Sequence, residues 1–194
     1  TATFAGTAAF PNVVHFWNDN EGFCMGDPNG GYFEIYTTTN GGTTWTRVPQ
    51  ANIPAPLSGE YGYTAMYDVV GNTVWFATNK GRVYKSTNKG LNWTVSQVPN
   101  FTNFSIISFS DQNNGFALQK IYANNTLTSI NFAVTTNGGT SWTSASYNSS
   151  NIPPFVYLTD MDAIPGVNGK WVSVGRNFNG TYGSSYTEDF GNSW

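Results

Sequence analysis

The chain has 194 residues, of which 16% are aromatic and only 10% are charged, and its net charge at pH 7 is −3. The aromatic content excludes a disordered chain, and the few lysines and arginines argue against a nucleic-acid partner. No apolar run approaches the length of a membrane-spanning helix, so membrane insertion is not expected. The length fits one domain or a piece of a larger protein.

The first fifty residues predict four short strands, near 12–17, 22–26, 32–38 and 44–48. These segments are rich in β-branched and aromatic residues and are separated by turns rich in Gly and Asn. Similar apolar runs and polar turns follow along the rest of the chain, and no segment keeps a helical period over three turns. The sequence therefore predicts an all-β fold.

The chain has one cysteine, Cys24, and one histidine, His15, both in these first predicted strands. A single cysteine excludes an internal disulfide and any metal site built on several cysteines. We expect Cys24 to be a small buried core residue and His15 to be an ordinary strand residue. No cofactor and no metal are predicted.

An eight-residue box with the pattern Ser/Thr-x-Asp/Asn-x-Gly-x-x-Trp occurs at 38–45, 86–93, 135–142 and 187–194. The four box tryptophans are 48, 49 and 52 residues apart. A repeat period near 50 residues is typical of propellers and solenoids, and four strands per repeat is the blade of a β-propeller.

The box resembles the Asp-box, or BNR, repeat of sialidase-like β-propellers. The resemblance implies a β-propeller with four four-stranded blades of about 50 residues each. The expected blades are approximately 11–48, 61–97, 104–146 and 155–194, with 1–10 as a strand of a neighbouring or closing blade. Three boxes depart from the family by carrying Asn at the position of its acid, and the fourth carries Asp189.

Each residue type of the box has a predicted structural role rather than a catalytic one. The Asn or Asp is expected to accept hydrogen bonds from backbone N–H groups one or two residues further on. The Gly is expected to adopt a positive φ angle, and the Trp to pack between neighbouring sheets. The Asn or Asp and the Trp of the successive boxes are Asn40 and Trp45, Asn88 and Trp93, Asn137 and Trp142, and Asp189 and Trp194.

Two interpretations of the blade number remain open. Residues 1–10 complete the last blade of a four-bladed ring, or they belong to a preceding blade of a longer propeller. Asp-box propellers usually have six or more blades, so the resemblance favours a longer parent chain with further domains.

The order of strands predicts a ligand face at the blade end opposite the boxes, formed by the 2–3 loops and the long 4–1 connections. Polar groups at the ends of the second strands, with tyrosines nearby, form the candidate ligand site: Asp27, Asn79, Lys80, Arg82, Lys120, Arg176, Tyr61 and Tyr182. Lys80, Lys120 and Arg176 are expected to converge at one mouth of a central channel. Such groups suit a glycan or a protein ligand, although ordinary solvated loop charges would give the same pattern.

A catalytic function is not favoured by the residues present. The sialidase resemblance implies an arginine triad, but the chain has only three arginines and Arg47 follows a box tryptophan on the opposite face. Asp160 and Asp162 form a tempting acidic pair, but their position before a turn favours structural acids. The predicted function is a non-catalytic binding or scaffolding module. The alternative is part of a glycoside hydrolase whose catalytic residues lie outside this chain.

The composition also predicts a location. Low charge, abundant Asn and Thr and the absence of disulfides fit a secreted or cell-surface bacterial protein. The phrasing of the first box resembles repeats in large modular proteins that are exported by type IX secretion.

Overall fold

The computed structural model describes residues 9–153, 155 and 157–194. The chain divides into two compact units, Thr1–Ser96 and Gln97–Trp194. Apart from the 3-10 helix Gln50–Asn52, every regular element in the described residues is a β-strand. This confirms the all-β prediction. The strand predicted at 1–10 falls outside the described residues except for its last two positions.

The first unit contains two antiparallel sheets in which strands adjacent in sequence are adjacent in space. Sheet 1 comprises β1 (Pro11–Phe16), β2 (Gly22–Pro28), β3 (Phe33–Thr38) and β4 (Thr46–Arg47). Sheet 2 comprises β5 (Gly62–Val70), β6 (Thr73–Thr78), β7 (Arg82–Ser86) and β8 (Thr94–Gln97).

The second unit also contains two antiparallel meander sheets. Sheet 3 comprises β9 (Ile106–Phe109), β10 (Gly115–Ala123), β11 (Thr126–Thr135) and β12 (Thr143–Asn148). Sheet 4 has three strands in the described residues: β13 (Asp160–Ala163), β14 (Trp171–Arg176) and β15 (Tyr182–Thr187). Three of the four sheets therefore have the four strands that the repeat predicts.

Each unit has its own aromatic core. In the first unit, the rings of Phe76 and Tyr84 are stacked with centroids 4.8 Å apart, and Phe33 meets Tyr84 edge-on at 4.9 Å. In the second unit, Phe116 lies 4.3 Å from Trp171, centroid to centroid. Most residues of the inner strands of sheets 1 and 2 are buried.

The two single residues behave as predicted. Cys24 is buried, and burial raises the pKa of its thiol to about 12. His15 lies in β1, where its ring meets the indole of Trp17 edge-on at 5.1 Å, and burial lowers the pKa of the imidazole.

The four boxes share one turn geometry. The box glycines have φ angles of 81°, 83°, 82° and 82°, as predicted. The residue before each glycine also has a positive φ, which includes the non-glycine residues Lys89 and Phe190. Two consecutive positive φ angles define the type I′ turn that suits a tight hairpin.

The hydrogen bonds of the boxes differ from the prediction in one respect. The side-chain oxygen of each Asn or Asp accepts a bond from the N–H four residues on, rather than one or two, at 2.9 Å in all four boxes. The Ser or Thr that opens each box accepts the glycine N–H at 2.8–3.0 Å and donates its own hydroxyl to the same Asn or Asp. The longer reach follows because the turn adds two left-handed residues.

The box tryptophans are less uniform than expected. Trp93 and Trp142 are buried, and Trp93 contacts Phe23 of sheet 1 and Phe76 of sheet 2. Trp45 and Trp194 are only partly buried. Trp45 contacts Phe16 of its own sheet, so packing between sheets does not hold for all four positions.

Candidate functional site

A long β-hairpin distinguishes sheet 3. Strands β10 and β11 pair as far as Ala123 and Thr126, and Asn124 and Asn125 form the turn with φ angles of 50° and 61°. Strand β9 pairs with β10 only as far as Leu118, so the tip of the hairpin extends beyond its neighbour. Lys120 was expected at a strand end, but β10 continues for three more residues.

Opposite the hairpin, Thr159 lies close to the backbone of Gly175 in sheet 4. Gly175 has a φ of 120°, and a Cβ atom there would lie 1.9 Å from the Oγ1 atom of Thr159. Only glycine therefore allows the N–H of Thr159 to reach the carbonyl of Val174 at 2.9 Å. The carbonyl of Thr159 accepts a bond from Nζ of Lys120 at 2.6 Å, which ties the hairpin to sheet 4.

Between the hairpin and sheet 4 lies a pocket of about 430 Å³, which we name the hairpin pocket. It lies within the second unit and is lined by Lys120, Tyr122, Asn125, Thr126, Leu127, Leu158, Thr159, Arg176, Asn177 and Phe178. Its volume is within the range of small-molecule sites. The lining combines two cations, two amides, two aromatic rings and two leucines, and none of these residues is acidic.

Arg176 differs from the other two arginines of the chain. Arg47 pairs with Glu34 at 3.3 Å and Arg82 pairs with Glu60 at 2.8 Å. Arg176 forms no ion pair with any acid, although all eleven acids of the chain belong to the described residues. Its guanidinium lies 6.0 Å from the ring centroid of Tyr182, which is 75% exposed.

Lys120 is partly buried, whereas Arg176 is exposed. Burial lowers the pKa of its ammonium group, while the nearby carboxylate of Asp160 raises it. Asp160 is exposed and accepts a bond from the N–H of Met161, so it offsets only part of the local positive charge.

The site residues predicted in the first unit are mostly engaged in structural contacts. Arg82 is buried with Glu60, which also accepts a bond from the hydroxyl of Thr78 at 2.6 Å. Asp27 accepts bonds from the side chain of Asn12 at 2.7 Å and from the N–H of Gly62 at 3.0 Å.

Asn79 in turn holds the loop before β5. It accepts the N–H of Tyr61 at 2.8 Å and donates to the carbonyl of Gly59 at 2.9 Å. Asp27, Asn79 and Arg82 are therefore loop-fastening residues, because their polar atoms are already satisfied within the unit.

The sequence predicted that Lys80, Lys120 and Arg176 converge, and the structure describes two of the three in one place. Lys120 and Arg176 line one pocket, and Tyr182 lies beside Arg176. Lys80 follows β6 in the first unit, and exposed Tyr61 meets Tyr63 edge-on at 5.6 Å. Whether Lys80 joins the other two cations stays a prediction.

Sequence reasoning missed several residues of the hairpin pocket, notably Asn125, Leu127, Leu158 and Asn177. One signal was present: the Asn124-Asn125 pair is a strong hairpin turn between two long strand-like runs. The contribution of Leu158 depends on the close approach at Gly175, which no local pattern reveals.

A smaller cleft of about 250 Å³ lies at the box end of the first unit. Trp17, Thr38 and Asn88 are among its lining residues, and an ion pair between Glu21 and Lys89 at 2.6 Å crosses it. This cleft lies on the face where no ligand was predicted.

The tempting acidic pair Asp160 and Asp162 makes structural contacts. Asp162 accepts bonds from the hydroxyl of Ser108 and from the N–H of Ala163, which is a structural role. Within the described ranges, no group of three or more His, Cys, Asp or Glu side chains is arranged to hold a metal ion. Likewise, none of the helices there has the length and apolarity needed to cross a membrane.

Comparison with solved structures defines the class as a β-propeller. The structure of YCF48 bound to D1 peptide matches 91% of this chain and 49% of its own, with a TM-score of 0.55 and 20% identity. YCF48 from Cyanidioschyzon merolae matches 86% of this chain and 53% of its own, with a TM-score of 0.52 and 16% identity. At these identities the likeness shows the fold alone.

Comparison of sequences gives a glycoside hydrolase as a relative. A xyloglucanase from Paenibacillus sp is 32% identical to this chain over 173 residues. The match covers 87% of this chain but 15% of the xyloglucanase, so the chain spans only a small part of that relative's length. No protein-family model matches the chain.

Proposed function

We propose that the chain is a non-catalytic β-propeller module that binds a ligand in the hairpin pocket, within a larger secreted or cell-surface bacterial protein. The observation that carries this proposal is Arg176, a guanidinium without an acidic partner at the rim of a concave site. Polar groups converging on a pocket with an apolar base are the usual features of a binding site.

A glycan is the ligand that the lining suits best. The rings of Tyr122 and Phe178 can cover the apolar face of a sugar, and the amides of Asn125 and Asn177 can bond its hydroxyl groups. The similarity to a xyloglucanase supports a polysaccharide ligand. A protein is the second ligand that we propose. YCF48, which shares the fold, is bound to the D1 peptide in one of its solved structures.

We also propose that the four sheets are blades of an Asp-box propeller, with bounds near those given by the repeats. The identical hydrogen bonds of the four boxes support this. Further blades in a longer parent, and export by type IX secretion, belong to the same proposal; the much greater length of the xyloglucanase supports only the longer parent.

The glycoside hydrolase relative supports one alternative, in which the chain is part of a hydrolase propeller whose catalytic acids lie elsewhere. An assay of the longer parent protein separates the two. Xyloglucan is incubated with the parent, and new reducing ends are measured. The proposal expects no hydrolysis by the propeller. Hydrolysis that depends on acids in other blades of the same propeller, and that Asp160→Asn and Asp162→Asn leave unchanged, would favour the alternative.

Binding itself is tested with a panel of immobilised oligosaccharides and two aromatic variants. Tyr122→Ala should weaken binding about tenfold, which corresponds to roughly 1.4 kcal/mol. Tyr61→Ala is the matched control, because Tyr61 is also an exposed tyrosine but lies in the first unit. Equal binding by both variants and the wild-type chain would remove the hairpin pocket as the site.

A further inference from the structure

The lysines and arginines of the chain are few, and several of them form ion pairs with acids. Of the eight, Arg47, Arg82, Lys89 and Lys170 are paired in this way. Two others, Lys120 and Arg176, line one pocket.

This placement creates a positive site on a chain whose net charge is −3. Asp160 is the acid next to Lys120, and its single negative charge offsets only one of the two positive charges of Lys120 and Arg176. Like charges that converge in a concave site repel each other, and an anion that enters relieves the repulsion. The hairpin pocket is therefore adapted to a negatively charged ligand group.

The donor geometry favours a carboxylate. A guanidinium presents paired N–H groups that match the two oxygens of a carboxylate. Lys120 uses one donor for the carbonyl of Thr159 and retains two more for a ligand. Both side chains line the hairpin pocket and keep donors for an anionic group that enters it.

The rest of the lining indicates what carries this carboxylate. A small free anion would make no use of Tyr122, Phe178 and the amides of Asn125 and Asn177. A sugar ring would use all of them, since its C–H face packs on aromatic rings and its hydroxyl groups bond to amides. A sugar with a carboxylate is a uronic acid.

We infer that the ligand of the hairpin pocket is an acidic oligosaccharide containing uronic acid, held through its carboxylate by Arg176 and Lys120. This inference rests on the proposed function, because it specifies the ligand of the same site. The inferred ligand differs from xyloglucan, the polymer after which the similar xyloglucanase is named, because the sugars of xyloglucan are uncharged.

The test is isothermal titration of the full 194-residue chain with three probes: an oligogalacturonate, an uncharged xyloglucan oligosaccharide and a glutamate-rich peptide. The oligogalacturonate should bind, and its affinity should fall as salt rises, because exposed charges are screened. Arg176→Gln and Lys120→Gln should each lower the affinity about tenfold or more, through loss of a charged hydrogen bond.

Lys170→Gln is the matched control, because Lys170 precedes β14 at its opposite end and should leave the affinity unchanged. Arg176→Gln is the decisive variant, since the side chain is exposed and its loss should not change the melting temperature. Unaltered affinity in this variant would overturn the inference.

The outcomes for the inference and for the proposed function differ. If the uncharged oligosaccharide binds as well as the oligogalacturonate and depends on Tyr122 but not on Arg176, the inference fails and the proposed function stands. If only the peptide binds, the sugar class is wrong. If no probe binds and an unbiased glycan and peptide panel also gives none, both proposals fail.

Discussion

Single side chains close the box turns, and their identity matters less than their ability to accept a hydrogen bond. In the box at 135–142, the Oδ1 atom of Asn137 accepts the N–H of Ser141 at 2.9 Å, while its Nδ2 atom donates to the Ser141 hydroxyl at 2.8 Å. Asp189 makes the equivalent contacts with Ser193, with the hydroxyl now as the donor at 2.7 Å. Rotation of one hydroxyl thus accommodates either side chain.

Asn137→Asp should therefore change the free energy of unfolding by less than about 0.5 kcal/mol, whereas Asn137→Leu should lower it by roughly 1–3 kcal/mol. The leucine leaves the N–H of Ser141 and the hydroxyl of Thr135 without their acceptor. Urea unfolding at pH 7 measures both values. Equal losses in the two variants would show that the side-chain acceptor is not what closes the turn.

The box tryptophans should differ in their contribution to stability. Trp93 is 6% exposed and contacts aromatic rings of two sheets, so Trp93→Ala should lower the free energy of unfolding by roughly 3–5 kcal/mol. Trp45→Ala should cost clearly less, because Trp45 is partly exposed and contacts Phe16. The ranking is read from denaturation midpoints, and a reversed order would contradict the packing described here.

Acid sensitivity can be traced to particular carboxyl groups. Burial raises the pKa of Asp111, but bonds from the side chain of Asn114 and the N–H groups of Asn113 and Asn114 outweigh it, and the pKa is lowered. The pKa of Asp189 is lowered by bonds from the side chain and N–H of Ser193. A lowered folded-state pKa gives stability that is present above the unfolded value and is lost as pH falls.

The melting temperature should therefore decrease as pH falls below about 4, the range in which an unfolded aspartate takes up its proton. In Asp111→Asn, this decrease should be smaller. Asp19→Asn serves as the control, because Asp19 lies in the turn between β1 and β2, as Asp111 lies in the turn between β9 and β10. The same acid-induced decrease in all three proteins would show that Asp111 does not contribute to it.

At the scale of elements, the β10–β11 hairpin is the feature that sets sheet 3 apart. Its turn places Asn125 at a φ of 61°, where glycine has no steric penalty. Asn125→Gly should stabilise the chain by about 0.5 kcal/mol, since Asn-Gly is the preferred type I′ pair.

Because Asn125 also lines the hairpin pocket, the same variant should weaken glycan binding while raising the melting temperature. Lys89→Gly is the contrasting variant: Lys89 also has a positive φ, but it lies in a box and its loss removes the ion pair with Glu21. Unchanged or improved binding by Asn125→Gly would exclude this amide from the ligand contacts.

The repeat made the sheets predictable, because strands and boxes recur locally and each is encoded by neighbouring residues. The positive φ angles of the box glycines followed from the same local pattern. The engagement of Arg82 with Glu60 did not, since the partners are separated by 22 residues and only burial makes the pair important. The walls of the hairpin pocket likewise depend on Thr159 approaching Gly175.

At the scale of the whole molecule, a β-propeller fold is joined to one proposed binding pocket in the second unit. The boxes at one end of each sheet are occupied with holding turns together. In each box, one backbone N–H donates to a carbonyl in the turn between the first and second strands of the same sheet. The bond from Gly138 to Asn113, at 2.7 Å, is an example. Lys120 and Arg176, which form no ion pair with an acid, line the hairpin pocket together with Tyr122 and Phe178. We therefore propose that the boxes serve the fold and that the ligand binds in the hairpin pocket.

The most direct measurement of this claim is a backbone amide NMR titration of the full chain with an oligosaccharide that it binds. We predict that the largest shift changes fall at residues 120–127, 158–159 and 176–178, which include the lining of the hairpin pocket. Changes centred on Trp17, Thr38 and Lys89 would place the ligand in the cleft at the box end instead and would contradict the claim.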